Sequence, residues 1–111
     1  MLKIIILCFT LLLAACDGPG VNAYHKGNEA YIYGNYKESF ANYLYAANQG
    51  VIPAEYNLAY QYFYGQGTKR DPVSAIRWLQ CASPHSLRAQ YALYLIQEKR
   101  PDQPWTLNLQ K

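Results

Sequence analysis

The sequence predicts an all-α protein: a short α/α solenoid of about two and a half helix–turn–helix units behind an N-terminal leader. Three observations carry that expectation. The stretch from Ala54 to Ala82 reads as helix, glycine turn, helix. Segments on either side repeat parts of it at an offset of 35 residues: Tyr43, Leu44 and Ala47 correspond to Trp78, Leu79 and Ala82, and Ala54, Tyr56 and Leu58 to Ala89, Tyr91 and Leu93. A self-similarity in that range is the mark of stacked helical units, each too small to bury its apolar face alone. Finally, the chain opens on an apolar run that ends in a small-residue pair and a cysteine.

The opening is taken first. Met1-Leu2-Lys3 is a singly charged start, and Ile4 to Leu13 is an unbroken apolar run. A bilayer-spanning helix needs ~20 apolar residues, so this run has the length of a secretory leader's apolar core. Leu13-Ala14-Ala15-Cys16 follows directly and resembles the bacterial lipobox. Small residues fit a peptidase cleft, and the resemblance implies that the Cys16 thiol carries diacylglycerol and that the new N-terminus takes a palmitate-type acyl chain. Each buried CH2 adds ~0.8 kcal/mol to membrane affinity, and stable anchoring takes more than one chain. Asp17 stands where lipoproteins of enteric bacteria carry the residue that retains them in the inner membrane. The expected organisation is residues 1–15 signal peptide, 16–22 tether, 23–100 repeat domain and 101–111 extended tail. Residues 17–22, rich in glycine and proline, suit a tether.

The first helix is expected at Ala23–Tyr33, broken by Gly34-Asn35. The second, Tyr36–Asn48, places Tyr36, Phe40, Tyr43, Leu44 and Ala47 on one face at a 3.6-residue period. Gln49-Gly50 ends it with glycine in its favoured place after a helix. Gly27, Tyr31, Gly34, Tyr36, Ser39, Tyr43 and Ala46 together resemble the tetratricopeptide pattern, in which small residues let paired helices approach.

The third helix is expected at Ala54–Tyr64, just after Pro53, and the chain turns at Gly65-Gln66-Gly67. Asp71-Pro72 starts the fourth, with Asp as N-cap and Pro at the first helical position. It runs over Val73–Ser83 and stops at Ser83-Pro84. Ala54, Leu58, Ala59, Tyr62, Gly65, Gly67, Asp71, Ala75, Trp78 and Ala82 stand at the spacings of the Sel-1-like repeat, a relative of the tetratricopeptide repeat with longer loops, and Thr68 replaces the usual valine of its turn. The chain is therefore similar to Sel-1-like repeat proteins. That resemblance implies a helical module that binds proteins or peptides, with its first helices lining a concave surface.

Ser86–Glu98 is the fifth helix, half of a third unit and a cap for the stack. In the tail, Trp105, Leu107 and Leu109 alternate, which predicts an extended segment. It is expected to strap the last helix, in preference to serving as a partner-binding peptide, because those side chains left in water would be an aggregation liability.

The formal charge is +3, one of whose positive charges, Lys3, lies in the leader. The only basic doublets are Lys69-Arg70 and Lys99-Arg100, too little for a nucleic-acid footprint. His25 and His85 fall in different units, so neither a metal nor a cofactor is expected. No nucleophile elbow, phosphate loop or HExxH motif occurs. Glu29, Glu38, Glu55, Asp71 and Glu98 are spread over separate helices, so no enzyme is expected. Cys81 reads as a small apolar filler, with an intermolecular disulfide as the alternative.

The twelve tyrosines suit helix packing and recognition equally. By helical phase Leu58, Ala59 and Tyr62 fit the packing face, which leaves Asn57, Tyr60 and Tyr64 for a binding surface. Lys26, Glu29 and Tyr33 are their counterparts in the first unit. The expectation is a membrane-anchored periplasmic lipoprotein, attached through Cys16, whose repeats bind a protein or peptide partner as adaptor or accessory factor of an envelope assembly. The alternative is an immunity or inhibitor lipoprotein that neutralises a toxin or enzyme. A cell-wall hydrolase ranks third.

Overall fold

The computed structural model describes residues 18–100 and 105–109. The expected signal peptide at residues 1–15 and the expected lipid-attachment residue Cys16 lie outside the described residues. Five α-helices follow one another: α1 (Pro19–Ile32), α2 (Tyr36–Asn48), α3 (Ile52–Tyr64), α4 (Pro72–Ala82) and, after a 3-10 turn at Ser83–His85, α5 (Leu87–Gln97). Each packs chiefly on its sequence neighbour, α1 on α2, α2 on α3, α3 on α4 and α4 on α5. That is the nearest-neighbour logic of a solenoid.

α1 starts earlier than expected. Gly18 is extended and Pro19 opens the helix, so residues 19–22 are helical where a tether was expected. Proline presets the helical φ at a first-turn position. The turn is also held from outside: Gly20 is buried, and a Cβ there would lie 2.8 Å from Cβ of Gln49 and 3.1 Å from the Val51 side chain. α3 likewise starts at Ile52, with Pro53 inside its first turn.

Two side chains cap helix starts: Asp71, as expected, and Ser86, which was expected inside the fifth helix. The Asp71 carboxylate accepts from the Ser74 N–H at 3.1 Å and from its hydroxyl at 2.6 Å. Ser86 lies just outside α5 and accepts from the Ala89 N–H at 3.1 Å. Both bonds satisfy N–H groups that a helix start leaves open.

The core has two parts. One joins α1, α2 and the start of α3 through Ala23, Tyr24, Tyr43, Ala46, Ala47, Val51, Ala54 and Leu58. The other joins α3, α4 and α5 through Ala59, Ala75, Leu79, Ala82, Ala89, Ala92 and Leu95. Tyr62 and Trp78 touch both, so the two units share one continuous interior. Alanine dominates because small side chains let helix axes approach. The closest approach is at Gly27, whose missing side chain is replaced by the Tyr43 ring: a Cβ there would lie 2.5 Å from that ring. A polar link runs beside it, Gln61 donating to the Ser39 hydroxyl at 3.2 Å and Ser39 to the Gly27 carbonyl at 2.8 Å.

Residues 105–109 carry no helix or strand. Their course differs from the expected strap across the last helix. Trp105 does pack within the core that includes Ala89, Ala92 and Leu95 of α5. From there the segment crosses α3 and reaches α1, because the hydrogen-bonding groups that meet its main chain are on those helices.

Candidate functional site

α3 carries Tyr56, Tyr60, Phe63 and Tyr64 at i, i+4, i+7 and i+8, the spacing that puts side chains on one helix face. Trp105 sits against that stripe. Its ring centroid lies 5.5 Å from Tyr56, 5.2 Å from Tyr60, 5.8 Å from Phe63 and 6.0 Å from Tyr64. The first three contacts are edge-on, the arrangement favoured by aromatic quadrupoles. Only 4% of Trp105 remains exposed.

Beyond Trp105 the main chain is gripped. Tyr56 Oη donates to the Thr106 carbonyl at 2.5 Å. Asn57 meets Asn108 twice, Nδ2 donating to its carbonyl at 2.6 Å and Oδ1 accepting from its N–H at 2.8 Å. Tyr24 Oη, from α1, donates to the same carbonyl at 3.0 Å. The two gripped residues are two positions apart because alternate residues of an extended chain turn their peptide groups to the same side.

The floor of the groove is polar and closed. Asn57 Nδ2 also donates to Asn28 Oδ1 at 3.3 Å, and the same oxygen accepts from Tyr43 Oη at 2.5 Å. Burial pushes the phenols of Tyr24, Tyr43 and Tyr56 above their ordinary pKa, with the Arg88 guanidinium pulling Tyr24 and Tyr56 partly back. Burial also takes Tyr60 up to about 12, helped by the Tyr31 and Tyr64 phenols. These groups stay protonated at neutral pH, and Tyr24, Tyr43 and Tyr56 donate hydrogen bonds to carbonyl oxygens. One carboxyl lies in the same helix: Glu55 is 1% exposed, its Oε2 has no hydrogen-bond partner, and burial raises its pKa to about 8.

Asn57, Tyr60 and Tyr64, the residues that helical phase singles out, all lie under the tail. Asn57 is fully buried there, not solvent-facing. Their supposed counterparts Lys26, Glu29 and Tyr33 are exposed on α1, Tyr33 to 75%. The α1 groups at the groove are Tyr24 and Asn28, which share a different face at i and i+4. The groove lies between α1 and α3 and is lined by facing sides of the two helices, so residue-for-residue transfer from α3 to α1 misses them. Tyr56 and Phe63 are not singled out by the sequence, and Trp105 was expected against the last helix. Their signal was present as an aromatic stripe on α3 and a lone tryptophan in an extended segment.

Cys81 is half-buried and disulfide-bonded, not a free small filler. Among the described residues no group of three or more His, Cys, Asp or Glu side chains could hold a metal ion, and no helix is long and apolar enough to cross a membrane.

A family model for the Sel1 repeat matches residues 11–51 and 52–83. The first match takes in the unit that resembles the tetratricopeptide pattern. No curated protein and no solved structure matches the chain.

Proposed function

Because the chain belongs to the Sel1 repeat family, whose repeats generally mediate protein–protein interaction, we propose that it is a membrane-anchored lipoprotein whose repeat module docks a protein or peptide partner at the periplasmic face of the membrane. It acts as an adaptor or accessory factor of an envelope assembly. The observation that carries the docking role is the groove between α1 and α3, where aromatic side chains and main-chain-directed donors meet an extended segment. Rigid aromatic anchors with polar tips are the residues that dominate recognition surfaces. The Leu13-Ala14-Ala15-Cys16 sequence supports the anchor, and Asp17 supports the inner membrane. Members of the family typically act without catalysis, and no reaction is proposed.

Three experiments test this. Crosslinking in native membranes, followed by identification of the attached protein, should recover one dominant partner, and a blank result removes the adaptor role. Metabolic lipid labelling should mark the wild type and miss Cys16→Ser, with the variant left uncleaved. A thioether at Cys16 takes that sulfur out of disulfide chemistry. Thiol trapping of the mature protein with and without reductant therefore reads the same question independently, and a Cys16–Cys81 disulfide there overturns the anchor.

A further inference from the structure

The tail segment is seated on the groove in the manner of a ligand. The four hydrogen bonds from Tyr24, Tyr56 and Asn57 all end on main-chain atoms of Thr106 and Asn108. Selectivity is concentrated in one side chain, Trp105, in its cage on α3. Reading one anchor side chain and otherwise the peptide backbone is how a fixed surface accepts extended peptides of varied sequence. Asn57 is the decisive residue. An asparagine amide offers one donor face and one acceptor face, the complement of one residue's C=O and N–H, so it acts as a short stretch of strand edge. A core position needing only apolar filling would not place an amide there.

We propose that the groove of α1 and α3 is a binding site for an extended peptide with an aromatic anchor, main-chain contacts one and three residues after it, and no requirement at the residue between, and that the chain's own residues 105–109 are its resident occupant. The incoming partner displaces the tail and places an equivalent segment on the same atoms. This rests on the docking role proposed above and names its ligand class. The chemistry is drawn from the seated segment: tryptophan at the anchor, then Thr106 and Asn108 presenting their peptide groups.

Covalent attachment gives the tail a strong advantage. A short tether holds its end at an effective concentration on the order of mM. The apparent affinity for any partner falls in proportion to the fraction of time the groove is covered. A covered groove also keeps the Tyr56, Tyr60 and Phe63 surface from water until a better-matched segment arrives, which suppresses promiscuous binding.

The test uses a fluorescein-labelled synthetic peptide of residues 102–109 (DQPWTLNL), titrated into the full chain and followed by anisotropy. Two variants loosen the resident tail by different means. Trp105→Ala removes the anchor, and Asn108→Pro removes the N–H that Asn57 accepts while leaving Trp105 in place. Each should bind the probe at least tenfold more tightly than wild type. Adding Asn57→Ala should abolish that gain, and a probe with alanine at the tryptophan position should not bind. Three results overturn the proposal. The variants keep their helical circular dichroism yet bind no probe; both variants lose the helical signal, so that the tail is only part of the core; or the wild type is a dimer by light scattering that Trp105→Ala dissociates, so that the occupant is a second copy's tail. A partner docked on another face would still crosslink in membranes, and a failed crosslink would leave the probe's affinity unchanged, so the two proposals fail separately.

Discussion

The Asn57 side chain on α3 and the main chain of Asn108 in the tail form a closed two-bond pair, at 2.6 and 2.8 Å, although 51 residues separate them. Asn57 also holds Asn28 of α1 at 3.3 Å, so one amide joins both repeat units and the C-terminal segment.

Asn57→Ala removes both bonds to the tail and one to Asn28. Net hydrogen bonds contribute about 1 kcal/mol each, and buried groups left unpaired add to the loss. The variant should lose roughly 2–4 kcal/mol by urea unfolding. The Asn108 amide should lose its protection in hydrogen exchange while amides within α2 keep theirs. Equal loss of protection everywhere would show that the tail and the helices open only together.

Gly27→Ala places a methyl 2.5 Å from the ring of Tyr43, which is fully buried and has no room to withdraw. Overpacking of this kind costs about 1–3 kcal/mol. Tyr43→Leu in the same chain should recover part of that cost, giving a non-additive double-mutant cycle. Strict additivity would mean that helix α1 shifts as a whole and the ring is not the obstacle.

Gly34 and Gly67 both sit at positive φ, +79° and +75°. A Cβ at Gly34 meets nothing within 4 Å, whereas one at Gly67 would fall on the Tyr36 carbonyl. Gly34→Ala should therefore show only the backbone strain, on the order of 1 kcal/mol. Gly67→Ala should cost clearly more, because the α3–α4 turn must lift off the start of α2. Thermal melts of the two variants side by side decide it, and equal shifts would remove the contact from consideration.

Glu55 is buried with Oε2 unpaired, and burial raises its pKa from the ordinary 4.5 to about 8. Below pH 4.5 the carboxyl is neutral in both folded and unfolded chains. Between 4.5 and 8 the unfolded chain ionises first, so stability falls as pH rises. Each unit of difference corresponds to about 1.4 kcal/mol, and the realised loss should be on the order of a few kcal/mol by pH 8. Glu55→Gln cannot ionise and should flatten the profile, melting above wild type at pH 8 and close to it at pH 4.5. A parallel offset at all pH values would rule out this carboxyl as the cause.

The helices were legible because their signals are local. Pro72 behind Asp71, the 3.6-residue spacing of Phe40, Tyr43, Leu44 and Ala47, and Gly65 at positive φ each act within a few residues of themselves. Where a boundary moved, a distant contact moved it: α1 extends back to Pro19 because Gly20 packs on Gln49 and Val51.

The candidate site was only half legible for the same reason. Asn57, Tyr60 and Tyr64 stand out by helical phase on one helix. Tyr24 and Asn28 do not, because which face of α1 meets α3 is set by how the two units stack. The sequence by itself determined the all-helical repeat architecture and its Sel1 character, since propensity, capping and apolar periodicity are properties of short segments. Only the tertiary structure decided that the tail lies on the groove of α1 and α3, that Trp105 fills the cage on α3, and that Asn57 is buried beneath it. Those facts depend on the joint position of groups up to 84 residues apart, and no pattern within a single segment encodes such a distance.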